Sequence, residues 1–205
     1  MTRGRRIADL MQNATAYRLW QATHAEEKFA TVLKHNDLRA TRRVLDVGCG
    51  PGTNSRYFMH ADYLGVDLDA GCIAYARQKY GDKFIVADVC EYTAAADAFD
   101  FILVNSFFHH IDDENSRAIL ESLARAATAD GTIHIVDLVL PPKRGVPRFF
   151  ALQDRGRHAR SLDAWRALFL ERFEPIVFEP FTLRAAGIPW MELVYFKGRA
   201  RRGSS

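Results

Sequence analysis

The stretch Val44-Leu45-Asp46-Val47-Gly48-Cys49-Gly50-Pro51-Gly52-Thr53-Asn54 constrains the fold of this chain more than any other. Val44, Leu45 and Val47 form a short aliphatic run bounded by turn residues, the pattern of a strand buried within a parallel sheet. Glycines at alternate positions follow at once, Gly48, Gly50 and Gly52, and Thr53 or Asn54 then stands where a helix cap is expected. Without a Cβ the backbone can turn sharply and bring its N–H groups against a ligand, at the positive end of the next helix. Asp46 adds a carboxylate beside that loop. Such a stretch predicts a nucleotide-like ligand at the edge of a parallel sheet.

Two later segments repeat the design. Residues 63–67 read as a second strand ending in Asp67, and 83–89 as a third carrying Asp88, so Asp46, Asp67 and Asp88 recur every 21 residues. One such Asp is explained by a helix cap or a turn, but three at even spacing are not. Asp67 falls where a nucleotide-binding sheet places the acid that takes ribose hydroxyls, and its two oxygens suit a vicinal diol. Its neighbour Asp69 is the better cap for a helix over 70–80. Residues 101–105 read as the fourth strand, and the ligand crevice of an open parallel sheet lies where strand order reverses, here between strands one and four. Asn105, Ser106, Phe107, Phe108, His109 and His110 therefore face the reactive end of the ligand. A helix over 112–128, capped by Asp112 or Asp113, and a turn at Asp130-Gly131 lead into a fifth strand over 132–138. Asp137 lies near its C-terminal end, beside the same crevice.

Dinucleotide-binding sheets prefer G-x-G-x-x-G, but position 53 is Thr and the pattern here is D-x-G-x-G-x-G. In this the sequence resembles the class I S-adenosylmethionine (SAM)-dependent methyltransferases, whose first motif this is. The likeness runs in motif order from about Thr41 to Asp137, and more loosely to Lys197. It implies an α/β fold with a Rossmann-like seven-stranded sheet of order 3-2-1-4-5-7-6, N-terminal helices and a small lid after strand five. It also implies SAM as cofactor, with S-adenosylhomocysteine as product. The implied cofactor contacts are Asp46, Gly48, Cys49, Gly50 and Asn54 in the loop, Asp67 with Leu68, Asn105 with Ser106, and Tyr17 from a roofing N-terminal helix. Asp88 accepts from the adenine amino group in that family, and the backbone N–H of the next residue, Val89, reaches the ring.

The resemblance extends to a His-His-hydrophobe motif, His109-His110-Ile111, found in small-molecule methyltransferases such as those of ubiquinone and menaquinone biosynthesis. An imidazole has an ordinary pKa of about 6.5 and can take a proton from a hydroxyl acceptor. His109 is slightly favoured over His110, with Asp137 holding the useful tautomer; these three are the expected catalytic residues. The alternative is that the pair only shapes the pocket and the bond is made by proximity.

Length allows one domain, 1–205, divided into N-terminal helices (1–40), a SAM-binding core (41–140), a basic lid (141–160) and a C-terminal helix with closing strands (161–198). The lid carries Lys143, Arg144, Arg148, Arg155, Arg157 and Arg160 against a single acid, Asp154. Arg148 or Arg155 is the expected reader of an anionic group on the substrate, the alternative being a solvated basic helix. A net charge of +3 is too mild to point to nucleic acid. The three cysteines have no metal-ligand spacing, so no metal is expected, and their odd number suits a reducing compartment. With no apolar run near 18 residues, a soluble cytoplasmic enzyme acting on a small molecule is the expectation, as monomer or homodimer. Rival readings are an RNA or protein methyltransferase, a nicotinamide oxidoreductase, and a catalytically silent SAM-fold subunit. The first lacks the Asn/Asp-Pro-Pro-aromatic motif after strand four. The second lacks its third glycine and a second catalytic domain, and the third is opposed by the intact glycines and acids.

Overall fold

A computed structural model of the chain describes residues 25–154, 156–185 and 187–202. Residues through Asn36 form one compact unit and those from Asp37 onward a second. In the first, a helix over 25–34 (α1) carries the apolar spacing of Phe29, Val32 and Leu33. Tyr17, expected over the cofactor, lies outside the described residues, as does Arg155.

The second unit is built on seven strands: β1 (Arg43–Val47), β2 (Asp62–Asp67), β3 (Phe84–Val86), β4 (Phe99–Asn105), β5 (Ala127–Leu138), β6 (Phe173–Ala185) and β7 (Ile188–Ala200). Their order is β3-β2-β1-β4-β5-β7-β6, as the resemblance implied, and β7 runs antiparallel to both its neighbours. The helices are α2 (Ala70–Tyr80), α3 (Asp113–Ala126), α4 (Val146–Gln153) and α5 (Leu162–Leu170). Asp69 caps α2 by accepting from Cys72 N–H at 2.9 Å, and Asp112 caps α3 through Asn115 N–H. No described helix is long and apolar enough to cross a membrane.

Side chains of β1 alternate between faces. Leu45 and Val47 pair in register with Ile102 and Val104 of β4 and join one core with Ile119, Leu120 and Leu123 of α3 and Trp165 and Phe169 of α5. Ile102, Leu103 and Val104 are fully buried, the mark of a strand covered on both faces, and each contributes roughly 1.5–3 kcal/mol by leaving water. On the opposite face Phe58, Tyr63, Phe84 and Phe101 form an aromatic layer. Gly65 is required under it, because a Cβ there would stand 2.5 Å from Phe84 and 2.9 Å from Cys49 Sγ.

Four expected local structures differ. The helix after the glycine loop is a six-residue 3-10 turn, Thr53–Phe58, and its cap position is Gly52 in the left-handed region with no side-chain bond. Asn54 cannot cap because it turns inward to Asp46, so little helix dipole is aimed at the loop. β3 stops at Val86, two residues before Asp88, which instead closes an Asx turn by accepting from Cys90 N–H at 2.9 Å. Asp130-Gly131 lies within β5, where a shift in register with β4 absorbs the irregularity. β7 runs on to Ala200, past the end at 198 expected for the closing strands.

Candidate active site

The glycine loop and the tip of β2 are joined directly. Gly50 N–H donates to Asp67 Oδ2 at 2.7 Å, while Asp69 N–H donates to Oδ1 at 2.9 Å. Gly48 and Cys49 N–H both donate to Val66 O, which ties the loop to the next strand. Gly50 has φ +53, and no atom of the described residues lies within 4 Å of where a Cβ would stand, so among them the loop is open on that side. Gly48 has φ +67, and a Cβ on it would meet Phe107 at 2.6 Å. The loop after β4 therefore lies on the glycine loop. Ser106, also at positive φ (58°), directs that turn and donates its N–H to Val136 O at 2.7 Å and its Oγ to Asn105 Oδ1 at 3.2 Å.

Asp46 faces inward. Fully buried, it accepts from Tyr63 OH at 2.6 Å and Asn54 Nδ2 at 3.3 Å, both on Oδ2, and Oδ1 has no partner among the described residues. Burial pushes its carboxyl up to about 7 against those two hydrogen bonds, and the Asp67 charge adds to the rise. Burial likewise pushes the Cys49 thiol up, so it is an inert small side chain. Leu68 and Asp88 are exposed on the strand-tip side, and Val89 is buried.

Beyond β4 the histidines separate in character. His109 is 3% exposed; its Nδ1 lies 2.6 Å from Asp137 Oδ1, and its Nε2 3.3 Å from Asp154 Oδ1. Burial pulls its pKa down, but the two carboxylates outweigh that and hold it up to about 9. Asp137 also accepts the N–H groups of Phe108 and Leu138, and Asp154 that of Gly156. Gly156 packs on the ring so closely that a Cβ would collide with it. His110 is exposed, its ring centroid 4.1 Å from that of His109, and partial burial and the His109 charge lower its pKa.

Both ring nitrogens of His109, the slightly favoured base, are engaged by carboxylates, whereas the His110 ring is exposed. Asp154 and Gly156 were missed. The available signal was that Asp154 is the only acid among the six basic residues of 143–160. Arg160, counted among those six, is a structural tie. It donates to Phe108 O, His158 O and Ile111 O, pairs with Asp113 at 2.7 Å and covers the Trp165 ring at 4.6 Å. Arg148 donates from Nη1 to Pro141 O within its own segment.

A family model described as a methyltransferase domain matches residues 44–131. Phosphoethanolamine N-methyltransferase 3 of Arabidopsis thaliana is 28% identical over 156 residues, covering 71% of this chain and 31% of that protein. Trans-aconitate 2-methyltransferase of Rhizobium etli is 27% identical over 140 residues, 66% of this chain and 51% of the relative. The crystal structure of the Bacillus subtilis YcgJ protein superposes with a TM-score of 0.67 at 21% identity, covering 87% of this chain and all of that one. Residues 44–131 therefore carry a methyltransferase domain, and the fold is that of the class I SAM-dependent methyltransferases, whose cofactor is SAM. The chain spans about a third of the Arabidopsis enzyme's length and about half of the Rhizobium enzyme's.

Proposed function

We propose that this methyltransferase domain transfers the methyl group of SAM to a small-molecule acceptor bearing an anionic group. The observation that carries the cofactor side is the 2.7 Å hydrogen bond from Gly50 N–H to Asp67 Oδ2. It draws the open glycine loop and the second strand tip to one place, and each Asp67 oxygen keeps a lone pair for a ribose hydroxyl. Gly48, Cys49 and Asn54 would line the same loop, with Leu68, Asp88 and the Val89 N–H toward adenine and Asn105 and Ser106 toward the reacting end. The unpaired Asp46 Oδ1 fits a polar partner near the amino-acid tail. SAM, when bound, supplies an electrophilic methyl on a sulfonium, which departs as a neutral thioether and needs no acid.

The residues of the chain then have chiefly to align the acceptor, and alignment within about 3–3.5 Å is worth roughly 7–11 kcal/mol in good cases. His109 and Asp137 shape the acceptor side without exchanging a proton, since both ring nitrogens are held. Where the acceptor is a hydroxyl or ammonium group, His110 is the imidazole placed to take its proton. The Arabidopsis and Rhizobium relatives are named for phosphoethanolamine and trans-aconitate, which carry a phosphate and carboxylates, and the basic segment 141–160 suits such an anionic group through Arg148 or Arg155.

Two measurements test the reading. Calorimetry with S-adenosylhomocysteine should show Asp67→Ala binding more weakly by about 1–3 kcal/mol, the cost of an unpaired buried donor; wild-type affinity removes Asp67 from the site. Methyl-labelled SAM offered with a panel of small carboxylates and phosphate esters should label at least one. Labelling only of RNA or protein would replace the acceptor class.

A further inference from the structure

We propose that His109, His110 and Asp154 form a binding site for a divalent transition-metal ion, with Zn2+ the best match. The three side chains offer two imidazole nitrogens and one carboxylate oxygen. That is the donor set of zinc sites that keep a fourth position open, and imidazole suits this part of the metal series. The atoms they present all lie within 4.8 Å of one another, and two of them, His109 Nε2 and Asp154 Oδ1, are 3.3 Å apart. Bonds of about 2.0–2.2 Å in a tetrahedron leave ligand atoms roughly 3.3–3.6 Å from each other, so this edge already has the length an ion needs. The remaining distance is closed by turning His110, which is exposed.

The surroundings have the form of an outer shell. Asp137 holds the Nδ1 side of His109 at 2.6 Å, so an incoming ion displaces the proton that Nε2 shares with Asp154, releases it to solvent and is met by Nε2 in its place. Asp154 is aimed by Gly156 N–H at 2.8 Å, and Gly156 also packs against the His109 ring and limits its rotation. The buried members are thus preorganised and the exposed one gives the ion its way in. An ion and an acceptor proton compete for the same His110 ring, so ion-loaded and proton-accepting forms are alternative states. The ligands come from the loop after β4 and from the residue following α4, 45 positions apart, which is why no ligand spacing is visible in the sequence.

The test uses the full chain without an affinity tag, stripped of metal, titrated with Co2+ and then Zn2+ in the absence of SAM and of any acceptor. Its outcome is therefore independent of the methyl-transfer reading. One Co2+ should bind per chain with the strong visible absorption of four-coordinate cobalt, and Zn2+ should displace it. His110→Ala, a change at an exposed position that does not threaten folding, and Asp154→Asn should each weaken binding by more than about tenfold. Absence of stoichiometric binding, or binding that both variants retain, overturns the proposal.

Discussion

Gly50 and Asp67 meet across 17 positions of sequence, whereas His109 meets Asp137 across 28 and Asp154 across 45. The two sides of the site differ in substance as well as in span. On the glycine side, backbone N–H groups rest on carboxylates that are only partly covered, and an open loop surrounds Gly50. Such bonds exchange readily with those of a ligand, because neither partner loses much by letting go. On the histidine side, an imidazole 3% exposed is flanked by Asp137, fully buried, and by Asp154. Separating charged partners there leaves an uncompensated ion away from water. One side can exchange its hydrogen-bond partners, the other holds its shape.

The sharpest way to break this contrast is His109→Ala. Two buried carboxylates then lose their shared partner, and the stability measured by urea unfolding should fall by about 3–5 kcal/mol. Affinity for S-adenosylhomocysteine, measured below the unfolding range, should stay near wild type. Should affinity fall in parallel with stability, the two sides form one unit and the contrast is lost.

The same contrast explains what could be read in advance. The caps Asp69 and Asp112 and the meeting of the glycine loop with Asp67 follow from local patterns, turn residues and a repeat of 21, whereas the strand order comes from the family resemblance of the glycine motif. Asp88 kept its place in the repeat, but its strand had already ended, because an Asp that accepts from Cys90 N–H makes a turn as readily as it ends a strand. The inward rotation of Asp46 could not be seen, since it depends on Tyr63 and Asn54 arriving from β2 and the 3-10 turn. Likewise the charge run 143–160 reads uniformly, yet Arg160 is buried against Trp165, Arg148 bonds its own segment and Asp154 reaches His109. A list of charges carries no record of which will find a partner far along the chain.

Asp46 sharpens the contrast from the glycine side, because there the buried acid is a liability. Its carboxyl is raised from an ordinary 3.8 to about 7, so between those values the folded chain holds a proton that the unfolded chain has lost. Stability from this group is therefore present at low pH, falls as pH rises from about 4 to about 7, and stays lost above. Asp46→Asn keeps an acceptor for Tyr63 and Asn54 and removes the charge. The difference between variant and wild type should be near zero at pH 4 and reach roughly 2–4 kcal/mol in the variant's favour at pH 8. A flat difference across that range would mean that the carboxyl titrates normally.

The smallest effect is expected at Arg148, in the basic segment that follows β5. Its bond to Pro141 O is a single charge-assisted contact in a partly covered place, so Arg148→Ala should cost about 0.5–1.5 kcal/mol of stability. If the guanidinium also meets an anionic acceptor, KM for that acceptor should rise about tenfold, equivalent to about 1.4 kcal/mol, with kcat held. That pattern marks binding made equally in the ground and transition states, and it would place acceptor recognition on the histidine side with cofactor affinity untouched. An unchanged KM for an acidic acceptor would instead confine Arg148 to bracing its own segment. Recognition of the anion would then fall to other basic residues of 141–160, and the histidine side would keep its rigidity without the part in selectivity assigned to it.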